Sequence, residues 1–376
     1  MLNLNNILVI LLSFVITLPL YSHWLGSTIT YIFYLLAIAG SSYLFYKNKS
    51  KFYFLDLPFF LFVILSLFSV IYTVSFDYMT ELLYIPLLVF IYIFGKSLIY
   101  DNNIKIFFSG LTLFFFLFSI YLVFQLIENS FNYGLYYHFS NASNKVEYLT
   151  MSMYAGTVAI YAYFMVETYI LRLFLLFYTY ILIFISGARF SIIFFVALTL
   201  ILFLNNKNIV KNIFIILFGL ITLFLINNYF KIIDTQFIFD FFNFSINRLN
   251  HFDMHNNSLI GRFQAIQDSF LALNQHPFFG YGLHSSPHII HFIYPHNLLL
   301  EAWLDLGILG LLSILTMIIL TLIVLWKIRK NRYFTFFTTL YIYILLAHLK
   351  SFSIFHATLF FLITSTIFAY YQRKKH

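Results

Sequence analysis

Apolar positions in this chain fall in long unbroken blocks, and short polar clusters separate them. A helix needs about 20 apolar residues to cross about 30 Å of hydrocarbon, and the blocks meet that length repeatedly. Twelve spans are expected, near residues 4–20, 27–46, 52–74, 79–99, 104–128, 148–166, 170–187, 189–204, 210–229, 298–325, 333–348 and 352–371. The run 170–204 is too long for one crossing, and Ser186-Gly187 is its natural break because serine and glycine interrupt helix packing at low cost. The pattern therefore predicts an all-α polytopic membrane protein with a single integral domain over 1–376. One large external loop, 230–297, is inserted between spans nine and ten.

Within that loop Ile260, Phe263, Ile266 and Phe270 recur at helical spacing, with Arg262, Gln264, Gln267 and Asp268 on the other faces. This predicts a short amphipathic helix on the outer leaflet, stopped by Asn274-Gln275-His276-Pro277. Gly280 and Gly282 follow, where a tight turn and close backbone approach are expected. A second external segment, 129–147, carries Tyr133, Tyr136 and Tyr137 and is expected to form at most a wall of a site.

Composition sharpens the membrane reading: 62% of residues are hydrophobic, 23% aromatic and 9% charged, and the mean hydropathy is +0.90. These values lie far from those of a soluble domain. There is no cysteine, so disulfide and thiolate chemistry are excluded. Met1–Asn6 has no basic n-region and no cleavage pattern follows, so the first apolar run is expected to be a retained span. With both termini on the cytoplasmic side, most Lys and Arg residues fall there, including Lys47, Lys96, Arg172, Lys327 and Arg373, together with Asp56 and Asp101. The net charge of +8 is then a topology signal and implies no nucleic-acid partner.

Three of the seven arginines, Arg189, Arg248 and Arg262, lie outside against this bias. Guanidinium presents a planar fork of donors suited to phosphate, so an external phosphate ligand is expected. Arg189 opens span eight, where unsatisfied amides and the helix dipole favour an anion rather than a cation; a bound anion would satisfy both, whereas a snorkelling arginine would reach lipid phosphates. Seven of the twelve histidines, among them His251, His255, His276, His284, His288 and His291, crowd the loop. Pro287 separates His284 from His288 and no His-Glu-x-x-His occurs, so no metal site is expected. His296 differs: beside Asn297 and just before an apolar helix, its imidazole can serve as a general base or as an interfacial hydrogen-bonding group. Glu301 and Asp305 share a face of that helix, with Glu301 a candidate to orient a basic group or sugar hydroxyl. Gly307 and Gly310 are read as points of close helix approach.

The ordered set Ser186-Gly187-Ala188-Arg189, Gly261-Arg262, His276-Pro277-x-x-Gly280-x-Gly282, Pro295-His296-Asn297-x-x-Leu300-Glu301 and Gly307-x-x-Gly310 resembles the O-antigen polymerase and O-antigen ligase superfamily over roughly 186–310. Ala188 stands where that family often has a second serine. The resemblance implies a bacterial inner-membrane enzyme with its active site on the periplasmic side. It implies a cofactor-free, metal-independent glycosyltransferase of lipopolysaccharide or related polysaccharide biosynthesis. Its substrate would be an oligosaccharide on undecaprenyl or another polyprenyl diphosphate, and a chain-length regulator would be a further partner. Carried over, Arg189, Arg248 and Arg262 hold the diphosphate, Arg189 and Arg262 also stabilise its departure, His296 is the base, and Asn297 and Glu301 orient the acceptor. The Pro-His-Asn-Leu-Leu-Leu-Glu form favours a polymerase over a ligase acting on lipid A core. A polysaccharide flippase would predict related halves and midplane charges, and neither pattern is present.

Overall fold

The computed structural model describes residues 4–75, 78–100, 102–128, 148–186, 188–205, 257–290, 292, 294–331 and 333–375. Every regular element among them is helical. The chain divides into two compact units, residues 1–114 with 254–376, and residues 115–253. Span nine, Arg248, the segment 129–147, His251, His255 and His291 lie outside the described residues.

The first unit begins with α1, Leu4–Lys47. Lys47 Nζ donates to Asn5 Oδ1 at 2.8 Å, and Phe14 packs edge-on against Phe33 at 4.9 Å. The two halves of α1 therefore run antiparallel, over the stretches where the spans 4–20 and 27–46 are expected. A 3-10 turn, Phe54–Asp56, leads into α2, Leu57–Ser69, and α3 follows at Tyr78–Ser97. The apolar run 52–74 does not continue as helix to its end, because residues 72–74 leave the helix to pair with the loop described below. α4, Asn103–Glu128, starts in this unit and continues into the other.

After the second unit the chain returns as α8, Asn257–Leu273, the single turn α9, Ser286–Ile289, then α10, Leu298–Lys327, α11, Phe334–Ser351, and α12, Thr358–Lys375. α3 packs on both α1 and α12, and α2 packs on α10. Aromatic rings fill the centre: Phe59 stacks on Tyr92 with centroids 3.8 Å apart, and Phe361 meets both Phe59 and Phe62 at 5.4 Å. A Cβ on Gly95 would lie 2.6 Å from the Leu362 carbonyl, so α3 and α12 touch backbone to backbone there.

Asp56 and Lys96, expected at the cytoplasmic surface, are instead almost wholly buried and form an ion pair at 2.5 Å. Tyr92 Oη and the Tyr53 amide also donate to Asp56, each at 2.7 Å. Two charges on neighbouring apolar helices find each other rather than water, since an isolated charge in this environment is very costly.

In the second unit α5, Tyr148–Met165, is buried on nearly all faces and packs against α6, Tyr169–Ser186. α7 spans Arg189–Asn205. The expected break between 186 and 189 is present: Ser186 Oγ accepts from the Ala188 amide at 3.3 Å.

Among the described residues four stretches are long and apolar enough to cross a membrane, namely Ile29–Lys47, Asn103–Tyr121, Leu298–Lys327 and Phe334–Ser351. The other apolar helices, such as Leu4–Leu20 and Arg189–Thr199, are shorter.

Candidate functional site

α10 is broken. Gly307 has φ 70 and ψ −167, and the helix divides into Leu298–Leu306 and Ile308–Lys327. The His276–Gly282 segment fills the break. Tyr281 N donates to Leu304 O at 2.8 Å, Gly282 N donates to Asp305 O at 3.0 Å, and Ile308 N donates to Pro277 O at 3.2 Å. The loop thus replaces hydrogen bonds that the helix gives up, where an unpaired backbone group in an apolar setting would be costly. Trp303 Nε1 adds a bond to Pro277 O at 3.0 Å.

Glycine is required at these points. A Cβ on Gly307 would fall 2.0 Å from Phe278 O, and one on Gly282 would fall 2.3 Å from Thr73 Cα. Gly280 and Gly282 both have positive φ, 68 and 89. From the other side the 72–74 segment clasps the same loop: Thr73 Oγ1 donates to Leu283 O at 2.6 Å, and Val74 N donates to Tyr281 O at 3.2 Å. Gly307 is therefore a helix break holding a loop, not the close helix approach expected of it. Gly310 does mark a close approach, but to its own chain, since its Cβ would lie 2.6 Å from Ala302 O.

α8 packs on the first half of α10 through Ala265, Ala272 and Leu273, in a cluster with Tyr281, Ile290, Leu300 and Leu304. Of the expected apolar face, Ile266 packs against this cluster. Phe263 is 70% and Phe270 51% exposed. Trp303 and the leucines of α10 already fill the interface, so the small residues of α8 face protein and its large rings face outward.

On this frame sits His296, the residue before the N-cap of α10. Its φ is 57, a left-handed conformation seldom adopted outside glycine. Asn297 caps the helix, its Oδ1 accepting from Leu299 N at 3.0 Å and Leu300 N at 3.1 Å. Its Nδ2 donates to Leu349 O at 3.0 Å. Tyr294 Oη donates to Ser351 O at 2.8 Å, and its ring lies 4.6 Å from the imidazole. The strained His296 backbone is thus pinned on both sides against the end of α11.

Burial lowers the His296 pKa to about 4, and the Arg262 guanidinium adds to the shift, while a backbone hydrogen bond at Ser351 opposes it. Arg262, near the start of α8, therefore lies within electrostatic reach of the imidazole. His296 Nδ1 is buried with no hydrogen-bond partner among the described residues. A neutral imidazole keeps one ring lone pair able to accept a proton.

Asn297 and Glu301 have their polar atoms engaged within the protein. Glu301 is buried and accepts from Ser353 Oγ at 2.6 Å and from Ile354 N at 2.8 Å. Asp305, also buried, accepts from Ser285 Oγ at 2.7 Å. Both carboxylates tie chain segments together around His296. Arg189 is half-buried at the first residue of α7, in the second unit. The contributions of Ser351, Leu349 and Thr73 were not legible in the sequence, because backbone carbonyls and a lone threonine in a polar break carry no pattern. Lys350 and Ser351, ending an apolar run, were the nearest signal.

No curated protein matches the chain. The family model described as O-antigen ligase matches residues 173–315, less than half of the chain but the whole stretch from Arg189 through the loop to Gly310. Residues 173–315, with the loop-filled helix break and His296 among them, belong to the O-antigen polymerase and ligase superfamily.

Proposed function

We propose that this protein is a surface-polysaccharide polymerase that transfers a glycan from a polyprenyl diphosphate to a sugar hydroxyl of another lipid-linked repeat unit. The observation that carries the proposal is the nearness of Arg262 to a neutral His296 whose Nδ1 is buried and, among the described residues, unpartnered. A buried polar atom without a partner is costly, and here an arriving hydroxyl supplies the partner. The acceptor oxygen bonds to the anomeric carbon as the bond from that carbon to the diphosphate oxygen breaks, inverting its configuration. The hydroxyl proton passes to Nδ1, and the polyprenyl diphosphate leaves as an anion held by Arg262. No metal is invoked, because the guanidinium carries the charge that develops on the leaving group.

Arg189 and Arg248 enter as further diphosphate ligands on the strength of the sequence pattern alone. The wider frame is twelve spans with both termini cytoplasmic, the loop 230–297 periplasmic and the setting the bacterial inner membrane. Charge sidedness and hydropathy support it. A second reading is a ligase that delivers the glycan to lipid A core, favoured by the description of the matching family model.

Purified protein incubated with lipid-linked repeat units, with and without lipid A core, separates these readings. A ladder on the carrier means polymerase, and transfer to core means ligase. His296→Ala should lower either activity by about 100-fold or more, and Arg262→Lys should also be impaired because an ammonium lacks the fork geometry. Unchanged product length in His296→Ala protein would refute the site.

A further inference from the structure

At the far end of α2 and α3 from the loop-filled break lies a cavity of about 260 Å³. It is walled by the turn after α1, the end of α3 and the last turn of α12, with Ser50, Lys51, Tyr53, Tyr100, Gln372 and Arg373 among its lining. We propose that it binds the phosphate of an anionic glycerophospholipid whose headgroup carries a hydroxyl.

The cations set the charge of the ligand. Lys96 also reaches the cavity, but its ammonium is already paired with Asp56. Lys51 and Arg373 remain, and no carboxylate is among the described residues that line the cavity. Arg373 is held in place: Nη1 donates to Ile99 O at 2.6 Å, and the guanidinium carbon lies over the Tyr100 ring, 4.7 Å from its centroid. Among the described residues its other N–H groups take no hydrogen-bond acceptor, and they can fork onto a phosphate.

The neutral groups set the rest. Ser50 and Gln372 line the cavity and are more than nine-tenths buried, and Ser50 Oγ and Gln372 Oε1 have no hydrogen-bond partner among the described residues. A serine hydroxyl donates to a phosphate oxygen, whereas an amide oxygen can only accept, which calls for a donor such as a headgroup hydroxyl. Ile99 and Ala369 give the cavity an apolar side suited to the glycerol end of a lipid. The location fits a lipid as well, since the ends of the helices here carry Lys47 and the Arg373-Lys374-Lys375 run, as at a membrane surface.

The test uses full-length protein purified in detergent and native mass spectrometry with added phosphatidylglycerol, phosphatidylcholine or inorganic phosphate. Wild-type protein should retain phosphatidylglycerol in preference to phosphatidylcholine. Lys51→Gln and Arg373→Gln should each retain about fivefold less, whereas Lys330→Gln, which removes a charge outside the cavity, should match wild type. Circular dichroism and thermal unfolding of each variant check that it folds, and Lys51→Gln, on an exposed side chain, keeps the test open if Arg373→Gln does not. Equal retention of both lipids, or equal retention by all variants, would overturn the proposal. So would binding of inorganic phosphate without lipid retention, which would assign the cavity to free phosphate.

Discussion

His296 occupies a left-handed backbone conformation, and its half-buried position beside Arg262 keeps its imidazole neutral. Strain of this kind persists only where the surroundings hold it, and here Asn297, Tyr294 and the end of α11 do so. A pKa near 4 makes the resting base weak, yet one part of the depression comes from Arg262. A diphosphate on Arg262 cancels that part and raises the basicity of Nδ1 when the donor is present. The acid limb of kcat/KM, which reports free enzyme, should therefore fall near pH 4, and the limb of kcat should lie higher, between about 4 and the ordinary 6.5. Coincident limbs would count against this coupling. Stability should follow the same sign. Because the folded pKa is depressed, the neutral imidazole contributes fully above pH 6.5, and its contribution is lost as pH falls toward 4. Thermal unfolding of His296→Gln across that window should show a shallower pH dependence than wild type. His296 itself was visible in the sequence through its neighbours Pro295 and Asn297, but its strain and its carbonyl partner were not, since both depend on where the end of α11 arrives.

At the level of elements, two neighbours of the site depart from their apolar patterns for opposite reasons. α10 reads as one uninterrupted span, and only Gly307 hints that it is not. The break appears because loop amides compete successfully for the Leu304 and Asp305 carbonyls. The Ile308–Lys327 half alone is long enough, at about 1.5 Å per residue, to cover about 30 Å, so the preceding half is free to present His296. α8 was legible as a helix with its stop, but the contact its alanines make with α10 was not, because in lipid a large ring gains as much outside the protein as inside. Gly307→Ala should destabilise the protein by about 1–3 kcal/mol through overpacking, with added backbone strain, and it should expel the loop. Faster protease cleavage within residues 276–282 of the variant would reveal the expulsion, and an unchanged cleavage pattern would argue against the interlock.

Across the whole molecule the helical membrane class could be read from hydropathy, and the paired helices around α3 follow from it. Positive-inside counting placed Asp56 and Lys96 at a surface, but it weighs charges singly and is blind to a pair. Lys96→Met should cost about 3–5 kcal/mol because it strands a buried carboxylate. Lower thermal stability, partly recovered by adding Asp56→Asn, would identify the pair as the cause.

The order of synthesis gives the broken helix a further meaning. Residues 276–282 leave the ribosome before Leu298–Lys327, so the amides that complete the break are made before the carbonyls they serve. A rearranged chain in which that heptad followed the helix would let a straight helix settle first, and opening it afterwards would mean exchanging bonds already formed. Normal genetic order spares the nascent protein that detour.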